Sequence, residues 1–201
     1  IEGAVKVQPV AKLAGIHESS VAKPAVMQAA QRSGQGHRYD YGTCYNQLNL
    51  LRIPELHDRG LTGKGVIVGV LGAGFDLYRP ACFKNLDVKA TWNFVTSEND
   101  VSGYPHGTAV LGCLGGRDDA RSYYGVAFGA TFLVALTEDV YEENSTDEAR
   151  WVMGLEWCDS MGARIVHSSL AYLEYDPPRE HFYIPEDMDG KTALCSRAAE
   201  I

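Results

Sequence analysis

Apolar and polar positions follow two alternating periods from residue 66 onward. Residues 66–71 read Val-Ile-Val-Gly-Val-Leu with no polar break, the pattern of a strand buried on both faces. Apolar, β-branched runs at 88–95, 131–136 and 163–169 predict three more strands. Between them, helical spacing predicts helices from 106 to about 114 and from about 147 to 160, and a further helix begins near Lys191. Alternating strands and helices of this kind predict an α/β fold of three layers, a mostly parallel sheet with helices on both faces. The segments 66–71, 131–136 and 163–169 are expected to be neighbouring parallel strands.

Upstream of residue 39 the pattern has no sustained period, apart from a short helical run at 25–30. Residues 1–38 are therefore expected to be a lead-in or the remnant of a pro-segment, and 39–201 the domain proper. A short helical stretch is predicted from Gln47 to His57, ending near Gly60. The helix near Asp147 carries the best local signal, because Ser145 followed by Glu148 is a capping box and Val152, Leu155 and Cys158 share a face. Its acidic start, Glu142, Glu143, Asp147 and Glu148, suits the helix dipole and is expected to be a solvated entrance.

Composition narrows the classes. In 201 residues, 45% are apolar and 10% aromatic, enough for a packed core. A balance of 18 basic against 26 acidic residues, net −8, argues against a phosphate-binding surface and against nucleic acid as a partner. No run reaches the roughly 18 apolar residues of a membrane span. The five cysteines, Cys44, Cys82, Cys113, Cys158 and Cys195, lack metal-ligand spacing and are read as small hydrophobes. Starting on Ile1 and stopping inside a helical pattern, the sequence is expected to be part of a longer chain, its fold incomplete at the carboxyl end.

The candidate chemistry lies in Tyr104-Pro105-His106-Gly107-Thr108, which sets a histidine at the mouth of a helix beside small residues that allow close approach. Four more strings accompany it in order: Thr62-Gly63-Lys64-Gly65-Val66, Val70-Leu71-Gly72-Ala73-Gly74-Phe75, Tyr124-Gly125-Val126-Ala127 and Ser168-Ser169-Leu170-Ala171. Together, from about Tyr39 to the last residue, these strings resemble the subtilisin-like serine peptidases, or subtilases.

That resemblance implies a subtilisin-like serine endopeptidase homologue working on peptides or proteins by acyl-enzyme chemistry. It makes His106 the general base and puts Gly72 where the family has its catalytic aspartate. Ser169, Leu170 and Ala171 match the segment whose backbone pairs with an extended peptide, and Thr137 and Glu138 fall where a second groove wall is expected. The family's nucleophilic serine and oxyanion-hole asparagine come later in its chain than residue 201. The chain alone is thus expected to be inactive, with the missing carboxyl-terminal half as a partner. The alternative is a pseudoprotease that binds peptides or acts as a scaffold. Location outside the cell or in its envelope follows from the family only. No cofactor is implied, and calcium is left open for the whole protein without assigned ligands.

Several look-alikes compete. Gly42-Thr43-Cys44 imitates the nucleophile string, but it precedes the histidine, against the family order. Asp76 is four residues past Gly72 and is expected at the surface, while His167 is expected in the core or on the groove wall. A dinucleotide loop starting at Gly72 would need glycine at 77, where Leu77 stands, and Tyr78-Arg79-Pro80 blocks the following helix. Asp187-Met188-Asp189-Gly190 has the look of a calcium loop, yet its twelfth position is Ala198, so a turn is expected.

Overall fold

The computed structural model describes residues 36–176 and 183–200. Most of the expected lead-in, including the helical run at 25–30, lies outside the described residues. The described chain begins with two short helices, α1 (Tyr45–Leu50) and α2 (Ile53–Asp58), where the sequence predicts one stretch. Arg52 divides them by taking a left-handed backbone conformation at φ 56°, a state non-glycine residues adopt rarely. Pro54 then opens the second helix, where its missing N–H costs nothing.

Next come β1 (Ile67–Gly72), β2 (Asp87–Asn93) and α3 (His106–Gly115). A small antiparallel pair, β3 (Arg117–Asp118) with β4 (Tyr123–Tyr124), precedes β5 (Thr131–Leu136) and was not foreseen by the apolar pattern. The chain continues through α4 (Thr146–Ser160), β6 (Ile165–Ser168) and α5 (Leu194–Ala199). The main sheet is wholly parallel in the order β2-β5-β1-β6, so the three strands expected to be neighbours are neighbours. Gly72 stands opposite Leu136 at the end of the β1 and β5 ladder.

Both sheet faces are covered. On one, Val68, Val70, Phe132 and Val134 pack with Leu111 of α3 and with Phe75 and Phe83. On the other, Leu71, Leu133 and Ala135 pack with Trp151 and Cys158 of α4. Alternation along the strands sends successive side chains to opposite faces, and each of the fully buried pair Phe132 and Leu133 contributes about 1.5–3 kcal/mol. Close approach of α4 depends on Gly69, since a methyl there would lie 2.5 Å from Cys158 Sγ.

Several boundaries differ for local reasons. β2 stops at Asn93 because that side chain accepts hydrogen bonds from the Val95 and Thr96 N–H groups and turns the chain. The last helix starts at Leu194 rather than Lys191, because the Asp189 carboxylate accepts from the N–H groups of Lys191 and Thr192 and holds a turn there. The expected turn at 187–190 therefore uses its own carboxylates.

The capping box does not form. Ser145 takes a helical backbone conformation with no side-chain cap, and Asn144 Oδ1 instead accepts from the Thr146 N–H at 2.9 Å. Nor is the acidic start solvated: Asp147 and Glu148 are buried. Buried charges require partners. Asp147 takes Arg150 at 2.5 Å, and Glu148 accepts from the Tyr175 hydroxyl and from the Cys195 N–H at 3.2 Å. Of the cysteines, all free thiols, Cys158 is buried as expected but Cys113 is exposed.

Candidate active site

The carboxyl ends of parallel strands are where α/β sheets hold ligands, and β1, β5 and β6 each deliver residues to one groove there. His106 is the first residue of α3 and half-buried. Its helix is tied to the turn after β1: the Phe75 N–H donates to Val101 O at 2.7 Å, and the Asp76 N–H donates to Thr108 Oγ1 at 2.8 Å. Glycine is required at 107, since a methyl there would lie 2.5 Å from Gly74 O and 2.7 Å from Phe75 Cε1. The spacing His-Gly-Thr thus serves packing as much as chemistry.

One cavity of about 1430 Å³ is lined by His106, Glu138, Ser169, Leu170 and Ala171, together with Ala73 and Leu136 from the strand ends. Of the residues singled out in the sequence, His106, Glu138 and the Ser169 segment therefore meet. Thr137 does not: it is completely buried, and its hydroxyl donates to Glu138 Oε1 at 3.0 Å. It buttresses the groove wall rather than facing the groove, because strand alternation turns adjacent residues to opposite sides.

Glu138 has two hydroxyl partners, Thr137 and Tyr172. Burial raises its carboxyl to about 7, with the Tyr172 hydrogen bond opposing and the nearby Asp147 adding to the rise. Sequence reasoning missed Tyr172, although it directly follows Ala171 in the groove segment.

His167 Nε2 lies 2.9 Å from Ser169 Oγ. Burial lowers its basicity, and the proximity of His106 lowers it further. Pairing of His167 with Val70 in the sheet puts it beside the end of β1. Asp76 turns away. Its carboxylate accepts from the Tyr78 and Arg79 N–H groups and from the Arg79 guanidinium, and these bonds, the Arg79 N–H foremost, hold it below the usual range.

Gly72 is buried, and its carbonyl accepts from the Thr137 N–H at 3.0 Å. A methyl placed on it would lie 3.0 Å from Phe75 Cζ and 3.5 Å from Gly107 Cα. Phe75 is 1% exposed. Its ring is a further residue of the site that the sequence pattern did not flag, since an apolar residue after a glycine turn reads as ordinary core.

A parallel sheet between two helical layers, with a histidine at a helix mouth beside a peptide-sized groove, is the architecture of a subtilisin-like α/β domain. Residues 63–198 match the sequence profile of the Subtilase family, and the chain belongs to that family. It is 28% identical over 124 residues to Subtilisin Savinase of Lederbergia lenta, covering 61% of this chain and 44% of that protein. The same identity and length relate it to an Alkaline protease of Alkalihalobacillus alcalophilus, of which 31% is covered. The chain thus spans less than half the length of these curated relatives.

Among solved structures, it is similar to MycP1 with the N-terminal propeptide removed, with a TM-score of 0.54 at 21% identity over 75% of this chain and 42% of that one. The Clostridium perfringens CspB protease gives a TM-score of 0.51 at 20% identity, covering 65% of this chain and 34% of that one. These two likenesses establish the shared fold.

Proposed function

We propose that this chain carries the general base and the substrate groove of a subtilisin-like serine endopeptidase domain, with glycine at the position of the orienting carboxylate. The observation that carries the reading is the single groove joining His106 at the start of α3 to Ser169, Leu170 and Ala171 after β6. An extended peptide laid along that segment would bring a scissile carbonyl near the imidazole. Residues 39–201 form the amino-terminal part of such a domain in this reading, and a site outside the cell goes with it.

In acyl-transfer chemistry a serine hydroxyl attacks only when a base removes its proton, and a carboxylate holds that base in the right tautomer and stabilises the imidazolium. Removing the carboxylate costs on the order of 10⁴ in turnover, a figure that comes from trypsin- and subtilisin-type enzymes themselves rather than from this chain. With Gly72 at that position, and no serine of this chain in the nucleophile context, the 201-residue chain does not cleave peptides by itself. Among the described residues, Asp76 offers no substitute, being held by its own turn.

A second reading, a peptide-binding or scaffold pseudoprotease, is favoured by one observation: the buried Phe75 ring against Gly72. Both readings keep a peptide as ligand, and the carboxyl-terminal half of the family domain as the natural partner. A fluorophosphonate probe and a peptide titration test them. No heat-sensitive labelling of the chain is expected, while a casein digest added to ¹⁵N-labelled protein should shift the amides of Ser169, Leu170 and Ala171. Specific labelling of any serine refutes the inactivity of the chain, and shifts confined to other surfaces refute the groove.

A further inference from the structure

We propose that Phe75 is a positioning residue that closes the acid position of this site: its ring fills the space beside Gly72 and supports the first turn of α3, and with it His106. The proposal rests on the roles assigned above to Gly72 and His106. Two segments meet at the ring, the end of β1 and the first turn of α3, and the chain that carries it is fixed separately. A methyl on Gly72 would touch it at 3.0 Å, a methyl on Gly107 would overlap it at 2.7 Å, and the adjoining backbone is anchored by the Phe75 N–H on Val101 O. Phe75 belongs to the same buried cluster as Val70, Leu111 and Leu136 and is 1% exposed.

Two consequences follow from elementary packing. A side chain at 72 begins with a carbon 3.0 Å from the ring, so the ring or the α3 turn must give by a few tenths of an ångström. The side chain that such a carboxylate would meet first, Phe75, is hydrocarbon and donates no hydrogen bond to it. A displacement of a few tenths of an ångström is enough to take a hydrogen bond out of its range of about 2.7–3.2 Å. Gly72→Asp by itself is therefore not a restoration, and the ring must be shortened in the same protein.

The test uses the 201-residue chain and needs no activity. A hydrogen bond between a carboxylate and the imidazole gives the His106 ring N–H a deshielded, slowly exchanging proton resonance. That resonance is expected in Gly72→Asp/Phe75→Val and not in Gly72→Asp or Phe75→Val alone. A milder cycle covers the case in which the double variant does not fold: Gly72→Ala should lower Tm, and Phe75→Leu should remove at least half of that loss. The resonance in Gly72→Asp alone, or a Gly72→Ala loss that is absent or unchanged by Phe75→Leu, overturns the role of Phe75. Its absence from both folded Gly72→Asp proteins overturns the proposal together with the assignment of position 72.

Discussion

Burial shifts Glu138 and His57 in opposite directions, with opposite consequences for stability. Glu138 rises from 4.5 to about 7 in the folded protein, so the folded state holds its proton more tightly than the unfolded state does. Its contribution is fully present below pH 4.5 and is lost as the pH rises through 7. His57 moves the other way. It is fully buried, with Nε2–H donating to Val126 O at 3.1 Å and Nδ1 accepting from the Tyr41 hydroxyl at 2.9 Å. Burial lowers its pKa from 6.5, so the stability it confers is present above 6.5 and lost as the pH falls through the folded value. Glu138→Gln keeps a carbonyl to accept from Thr137 and Tyr172 and removes the first effect. Urea midpoints of the variant should rise between about pH 5 and 7, while those of the parent change less. Parallel curves for the two proteins would contradict the assignment.

At the scale of elements, packing distances predict which substitutions couple. A methyl on Gly69 of β1 would meet Cys158 Sγ of α4 at 2.5 Å, so Gly69→Ala should cost about 1–3 kcal/mol, the usual range for overpacking. In a Cys158→Ala background most of that cost should vanish, because contacting sites couple. Urea unfolding of the four proteins reads it, and additive losses would place the strain elsewhere. The segment before α1 and helix α2 rest on β4 through aromatic rings, with Tyr39, Tyr41, His57, Tyr124 and Phe128 joined in a network of contacts. Tyr41→Phe leaves the buried His57 Nδ1 without its donor, which costs about 1–3 kcal/mol. Amide exchange should quicken across residues 41–58 while β5 stays protected, and uniform quickening would show that the helices are not a separate unit.

For the whole molecule, the sheet edge at β6 is decisive. Among the described residues no strand pairs with its outer side, and Ile165 is 54% exposed on it. Open apolar edges invite pairing between chains. The isolated chain should therefore self-associate with rising concentration, and Ile165→Lys should reduce that in light scattering without lowering Tm. An unchanged association would point to another surface, such as the exposed Leu50 and Leu51 of α1.

The sequence by itself determined the layers and the order of their parts. The run 131–136 is β5 residue for residue, and 66–71 lies between it and 163–169 as β1 lies between β5 and β6 in the sheet, because unbroken apolar runs separated by helical spacing are a local property of the chain. His106, Glu138 and Ser169 to Ala171 were named together through the resemblance to the subtilases, and the structure brings them to the lining of one cavity. What only the tertiary structure decided concerns direction and volume. Asp147 and Glu148 read as a solvated helix start, but residues distant in sequence, Tyr175 and Cys195 among them, cover them. Thr137 faces its own wall, and His167 comes beside His106 through sheet register. Phe75 reads as core in any linear pattern; that its ring occupies the space beside Gly72 depends on the strand, the turn and α3 converging there, and no periodicity along the chain encodes that meeting.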